Sequence, residues 1–136
     1  MDVSHLLDGL NAAQREAVSA PLGHHLILAG AGSGKTRVLI HRIAWLTEVC
    51  GVPAHGIFAV TFTNKAAGEM RHRIDLQLSK GSRGMWIGTF HGLAHRLLRL
   101  HWGDAKLPEA FQVMDSDDQL RMIKRVVQQL ELDDSK

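Results

Sequence analysis

LILAGAGSGKTRVLI, residues 26–40, runs from an apolar segment through a glycine-rich loop into Lys35, Thr36 and a second apolar pattern. This is the layout of a loop that cradles phosphate. The pattern G-x-x-x-x-G-K-[ST] is met in a relaxed form, with Ala29 in the first small position and Gly34-Lys35-Thr36 at the end. Gly30, Gly32 and Gly34 allow the backbone to fold into a concave nest whose N–H groups face the β- and γ-phosphate oxygens. A helix beginning near Lys35 adds the positive end of its dipole. Lys35 supplies a mobile cation for those phosphates, and the Thr36 hydroxyl is the expected Mg²⁺ ligand. A glycine-rich turn without a ligand is the competing reading. The glycine spacing, the Lys-Thr pair and the flanking elements together favour nucleotide, bound through Ala29, Gly30, Ala31, Gly32, Ser33, Gly34, Lys35 and Thr36.

Working outward, HLILAG reads as a short buried parallel strand, and KTRVLIHRIAWLTEVC as a helix with Val38, Ile43, Leu46 and Val49 at helical spacing. On the N-terminal side, NAAQREAVSA reads as a helix with Asn11 as N-cap and Pro21 as a stop. The strand-then-helix order recurs. IFAVTFT is a second strand, followed by a helix over NKAAGEMRHRIDLQL with Ala67, Met70, Ile74 and Leu78 on one face. MWIGTF is a third strand, followed by a helix over HGLAHRLLRLHW. The final helix, SDDQLRMIKRVVQQLEL, opens with Ser116 three residues before Gln119, a capping-box signature. This alternation predicts an α/β domain with a mostly parallel sheet and flanking helices.

The chain has 136 residues, 45% apolar, which is enough for one domain with a real core. Lys and Arg number 16 against 14 Asp and Glu, too mild an excess to announce a polyanionic partner. Its distribution is more informative. From Thr61 to Lys106 eight basic residues face three acidic ones, while the stretch from Asp115 onward leans acidic. A single cysteine, Cys50, cannot form an intramolecular disulfide and fits a reducing compartment. No apolar run approaches the roughly 18–20 residues of a membrane span, and the first residues lack the pattern of a secretory signal. A cytoplasmic protein with no membrane partner is expected.

A phosphate loop alone does not complete a hydrolase. An acid at a strand end must hold Mg²⁺, and a further group must orient the attacking water. The later acids are Asp104, Asp115, Asp117 and Asp118. Only Asp115 ends a short apolar run, FQVM, and helix capping is the preferred reading for it. The nine histidines include His91 and His95 one helical turn apart, but no cysteine or carboxylate cluster completes a metal-ligand set. Trp45, Trp86 and Trp102 sit among apolar neighbours and are read as core. The chain stops soon after LDD on a polar helix end, which reads as truncation.

Two further stretches, AVTFTNKAAGEM (59–70) and GTFHGLAHRLL (88–98), resemble motifs Ia and Ib of superfamily 1 DNA helicases. LNAAQREAV (10–18) resembles their Q-motif, and AGAGSGKT (29–36) resembles their phosphate loop. These ordered motifs, spread over essentially the whole chain, identify it as a member of the UvrD/Rep/PcrA group. The resemblance implies a RecA-like P-loop NTPase fold, incomplete here, with residues 1–89 as the first part of ATP-binding domain 1A. Residues 90–136 would begin the helical subdomain 1B. It further implies ATP and Mg²⁺ as cofactors and an ATP-dependent 3′–5′ helicase or translocase acting in nucleotide excision and mismatch repair. Partners would be single-stranded DNA, single-strand/double-strand junctions and repair proteins.

By the same resemblance Gln14 reads the adenine edge, since an amide offers both the donor and the acceptor that adenine requires. Arg37 lies near the nucleotide, with a surface helix residue as the stronger alternative. Phe62, Asn64, Thr89 and His91 contact DNA from strand ends. An aromatic ring there can stack on a base, and a helix N-terminus can hold a phosphate. Without the resemblance, Phe62 would read as core and His91 as a solvated or capping residue. The Asp-Glu motif, the later arginines and the second lobe are missing, so the chain alone is not expected to hydrolyse ATP. In this fold the neighbours of the phosphate-loop strand come later in the chain, which leaves strand edges unpaired. A truncated module that only binds nucleotide or DNA is the alternative; a small-molecule P-loop kinase would need an acceptor site that the sequence does not offer.

Overall fold

A computed structural model of the chain describes residues 3–131. The order of elements is a 3₁₀ turn at Ser4–Leu6, then α1 (Ala12–Ser19), α2 (Lys35–Glu48) and a second 3₁₀ turn at Ala54–Gly56. β1 (Phe58–Thr61), α3 (Asn64–Gln77), β2 (Trp86–Thr89), α4 (Phe90–Leu100) and α5 (Ser116–Gln129) follow. Two compact units divide the chain, one up to Leu97 and the other from Leu98.

In the first unit β1 and β2 run parallel, in the register Phe58↔Trp86, Ala59↔Ile87, Val60↔Gly88 and Thr61↔Thr89. α3 is the crossover between them, as parallel strands require. Its apolar residues Ala67, Met70 and Ile74 recur three and four apart and are all buried, and Leu78 just beyond it is buried too. Met70, Ile74 and Leu78 pack with Ile40, Ile43 and Ala44 of α2, Ala59 and Ile87 of the strands, and Leu6 of the first turn. A second cluster, Leu10, Val18 and Val38, joins α1 to α2. α2 therefore buries two stripes. Ile40, His41 and Ala44 lie inside beside Val38 and Ile43, while Val49, expected on the buried face, caps the helix and is 41% exposed. His41 is accommodated by a 2.7 Å hydrogen bond to the Leu6 carbonyl.

One margin of the sheet is closed by a side chain. The Trp86 N–H donates to the Ile57 carbonyl at 2.9 Å, so Trp86 faces β1 and Ile87 turns its polar groups outward. The Arg71 guanidinium, reaching from α3, donates to that outward Ile87 carbonyl. Asp75, one turn further along α3, accepts from the Ser82 N–H at 2.6 Å and fixes the turn into β2.

Three expectations are corrected. The buried strand expected over HLILAG does not form: residues 24–30 carry no regular structure, and Leu26 and Leu28 are each 84% exposed. A strand is defined by its ladder, and among the described residues none lies beside this segment to pair its N–H and C=O groups. The sheet therefore has two strands rather than three. The N-cap of α5 is Asp115, whose carboxylate accepts from the Asp118 N–H at 2.8 Å, and Ser116 is the first helical residue. Aspartate and serine cap equally well, and the carboxylate one residue earlier is the group in reach. Of the tryptophans only Trp45 belongs with the core, half-buried and packed against both clusters; Trp86 is half-buried outside them and Trp102 is 40% exposed.

In the second unit Arg99 lies over the Phe111 ring at 4.3 Å and donates to the Glu109 carbonyl at 3.1 Å. No residue of α5 is buried. No helix among the described residues is long and apolar enough to cross a membrane.

Candidate nucleotide-binding site

The loop 29–34 is bent by two left-handed residues, Gly32 at φ 74° and Gly34 at φ 82°. Gly34 is the N-cap of α2, so the helix starts at Lys35 with its first N–H groups directed back at the loop. The Lys35 ammonium also folds back, donating to the carbonyls of Ala29 at 3.0 Å and Gly30 at 2.7 Å. Ser33 closes the same turn, its hydroxyl donating to Gly30 O at 2.7 Å. Thr36 is exposed in the first turn of α2. Among the described residues no group of three or more His, Cys, Asp or Glu side chains is placed to hold a metal ion.

Gln14 joins α1 to this loop. Its Oε1 accepts from the Asn11 N–H at 3.1 Å while the Asn11 side chain accepts from the Gln14 N–H at 2.9 Å, a reciprocal capping box. The free end of the same amide donates to the Ser33 carbonyl at 3.0 Å. A β-carbon at Gly34 would stand 3.1 Å from Gln14 Nε2, so the absence of a side chain there is what lets the amide approach. An amide carries two donors and two acceptor lone pairs, and one of each is used. One donor and one acceptor remain, the pair that adenine N7 and N6 would need. Asn11, Gln14, Ala29, Ser33, Lys35 and Val38 line a cavity of about 250 Å³ between α1 and the loop. Arg37 points to the other side, its guanidinium close enough to Gly9 that a β-carbon there would meet it at 2.7 Å.

The strand ends hold a second group of residues. Phe62, just past β1, is 90% exposed, which removes the core reading. Thr63 caps α3 by accepting from the Ala66 N–H at 3.1 Å, which makes Asn64 the first helical residue. Thr89 ends β2 and accepts from the Gly92 N–H at 3.2 Å, while His91 is exposed at the start of α4. Phe90, which sequence reading passed over, lies with its ring 5.4 Å from that of Phe62 and is 56% exposed. A signal for it was present. The pair Thr-Phe occurs at 61–62 and again at 89–90, and Thr61 and Thr89 are register partners, so parallel pairing carries the two rings to one place.

Comparison with known proteins places these features in context. The chain matches the UvrD/REP helicase N-terminal domain family over residues 10–136. It is 63% identical to DNA helicase II of Escherichia coli over 134 residues, 98% of this chain and 19% of that protein. DNA helicase II of Haemophilus influenzae is 65% identical over 131 residues, 93% of this chain and 18% of that protein. The ATP-dependent DNA helicase PcrA of Bacillus subtilis is 45% identical over 133 residues, 98% of this chain and 18% of that protein. The chain thus spans about a fifth of the length of the curated relatives it matches.

Proposed function

Because the chain belongs to the UvrD/REP helicase N-terminal domain family, we propose that it is the ATP-binding part of a 3′–5′ DNA helicase that moves along single-stranded DNA in repair. On this reading residues 1–89 are the first part of a RecA-like domain 1A and residues 90–136 begin the helical subdomain 1B. The observation that carries the proposal is the bond from Gln14 to the Ser33 carbonyl. It ties a residue suited to reading a base to a loop suited to holding phosphate. Lys35 would exchange the carbonyls of Ala29 and Gly30 for β- and γ-phosphate oxygens, a stronger charge-assisted pairing. The Thr36 hydroxyl would hold Mg²⁺, which when bound neutralises phosphate charge. Arg37, whose guanidinium lies against Gly9 on the other side of α2, stays outside this grip.

Phe62 and Phe90 would take bases, since stacking is indifferent to sequence and suits a motor that crosses any DNA. Asn64 and Thr89 at the adjoining helix starts, with His91, would hold the backbone. Junctions and repair proteins are partners of the whole enzyme, and the reading places it in the cytoplasm.

Binding of a fluorescent ATP analogue tests the proposal. Lys35→Ala is expected to weaken it at least tenfold, while DNA-stimulated turnover by this chain stays at background. Equal affinity in both proteins, or clear turnover lost with Lys35→Ala, would refute the corresponding half of the reading.

A further inference from the structure

The geometry points to Arg42 as a positioning residue that holds Gln14 at the phosphate loop by anchoring the far end of α1. The inference rests on the nucleotide reading of Gln14 given above. α1 has eight residues, too few to be stable by itself. Its N-terminal end is closed by the Asn11–Gln14 box, but its C-terminal end has no glycine cap. Ala20 there is extended, at φ −50° and ψ 144°. The last carbonyls of a helix have no partners within it.

Arg42 supplies them from α2. Its Nη1 donates to the Val18 carbonyl at 2.8 Å and to the Ala20 carbonyl, and its Nη2 donates to the Pro21 carbonyl at 2.9 Å. A planar guanidinium can collect three acceptors from one fixed position, and a cation at a helix C-terminus is favoured by the dipole. The side chain is half-buried against α1 and is not within the phosphate loop. α2 therefore grips α1 near both ends. Lys35 begins α2 and follows the loop that takes the Gln14 bond, while Arg42 lies two turns further, about 10 Å along the axis. Val18, fully buried on Leu10 and Val38, resists separation of the helices, but apolar packing tolerates sliding. Three directed bonds do not. A shift of α1 that drew Gln14 back along the bond by about 1 Å would lengthen its 3.0 Å bond to Ser33 beyond hydrogen-bond range.

The test uses the 136-residue chain with Arg42→Ala and Arg42→Lys, and with Gln14→Ala in both wild-type and Arg42→Ala backgrounds. Amide hydrogen exchange across α1 and the side-chain amide signal of Gln14 report positioning directly. Competition of ATP and GTP against a fluorescent analogue reports base selection. Arg42→Ala is expected to speed exchange in α1 at least tenfold, with α3 unchanged, and to free the Gln14 amide. It should lower the ATP-over-GTP preference to that of Gln14→Ala, with no further fall in the double variant, and Arg42→Lys should lie between.

Exchange in α1 within twofold of wild type would overturn the inference. So would equal losses for ATP and GTP, or additive losses in the double variant. If the wild-type chain does not prefer ATP to GTP, it is the base-reading role of Gln14 that fails. The exchange and amide signals still decide whether Arg42 holds it in place.

Discussion

Gly34→Ala strikes the contact on which the nucleotide reading stands. Two effects add. At φ 82° any β-carbon is strained, by roughly 1–2 kcal/mol. The new methyl also stands 3.1 Å from Gln14 Nε2 and crowds the amide at the Ser33 carbonyl, weakening a bond worth about 0.5–1.5 kcal/mol. Gly32→Ala separates them, because Gly32 has a similar φ of 74° but open space where a β-carbon would sit. The difference between the two variants is therefore about 1 kcal/mol, roughly a fivefold change in an equilibrium constant. Urea denaturation followed by tryptophan fluorescence and circular dichroism measures it, once in wild type and once in the Gln14→Ala background. In that background the two glycine variants should become equal. Equal losses in wild type, or a difference that persists without the Gln14 side chain, would refute the assignment of Gly34 as the gap through which Gln14 reaches the loop.

Other outcomes follow from contacts already described. Ile74 is fully buried at the centre of the main cluster, so Ile74→Ala should cost about 2–5 kcal/mol in the same denaturation assay. A loss below 1 kcal/mol would mean that α3 does not face that core. Phe62→Ala should leave stability within about 0.5 kcal/mol, the side chain being almost wholly exposed, yet weaken oligo-dT binding by about 1–3 kcal/mol in a fluorescence anisotropy titration. Unchanged DNA affinity would remove it from the interface. The Ser82 N–H and hydroxyl hold the Asp75 carboxyl below its ordinary value of 3.8, with smaller help from His72 and Arg71. A depressed folded-state value adds stability that is present above that ordinary value and lost as pH falls through the lower folded one. Asp75→Ala should flatten the acid limb of the stability curve below pH 3.8 and leave its slope at neutral pH unchanged.

What could be read from the chain alone was whatever short-range physics decides. The face of α3 is written in Ala67, Met70, Ile74 and Leu78, because a helix satisfies its own backbone and needs only a stripe to bury. The Asn11 cap is equally local. Legibility ended where an element needs a partner distant in sequence. Leu26, Ile27 and Leu28 have the composition of a buried strand, but composition cannot create the neighbouring strand, and these side chains stand in solvent. The same holds at the site. The loop's glycines and Lys35 could be recognised by pattern, whereas the bond from Gln14 to Ser33 spans 19 residues and depends on two helices meeting. Nothing in the local pattern of α2 sets Arg42 apart, and only the path of the chain after α1 brings three carbonyls to it. The ring of Phe90 became meaningful once the register put Thr61 opposite Thr89.

The arginine that seals the outward carbonyl of Ile87 gives the sheet a polarity of growth. β2 offers an incoming strand an edge where an acceptor is already taken and a charged side chain lies across the approach. On the opposite margin Phe58 and Val60 turn their N–H and C=O groups away from β2, with nothing among the described strands to receive them. The flank next to β1 is therefore the less obstructed of the two for a further strand. One side chain thus makes the two edges of the sheet unequal as templates for any strand that would pair with them.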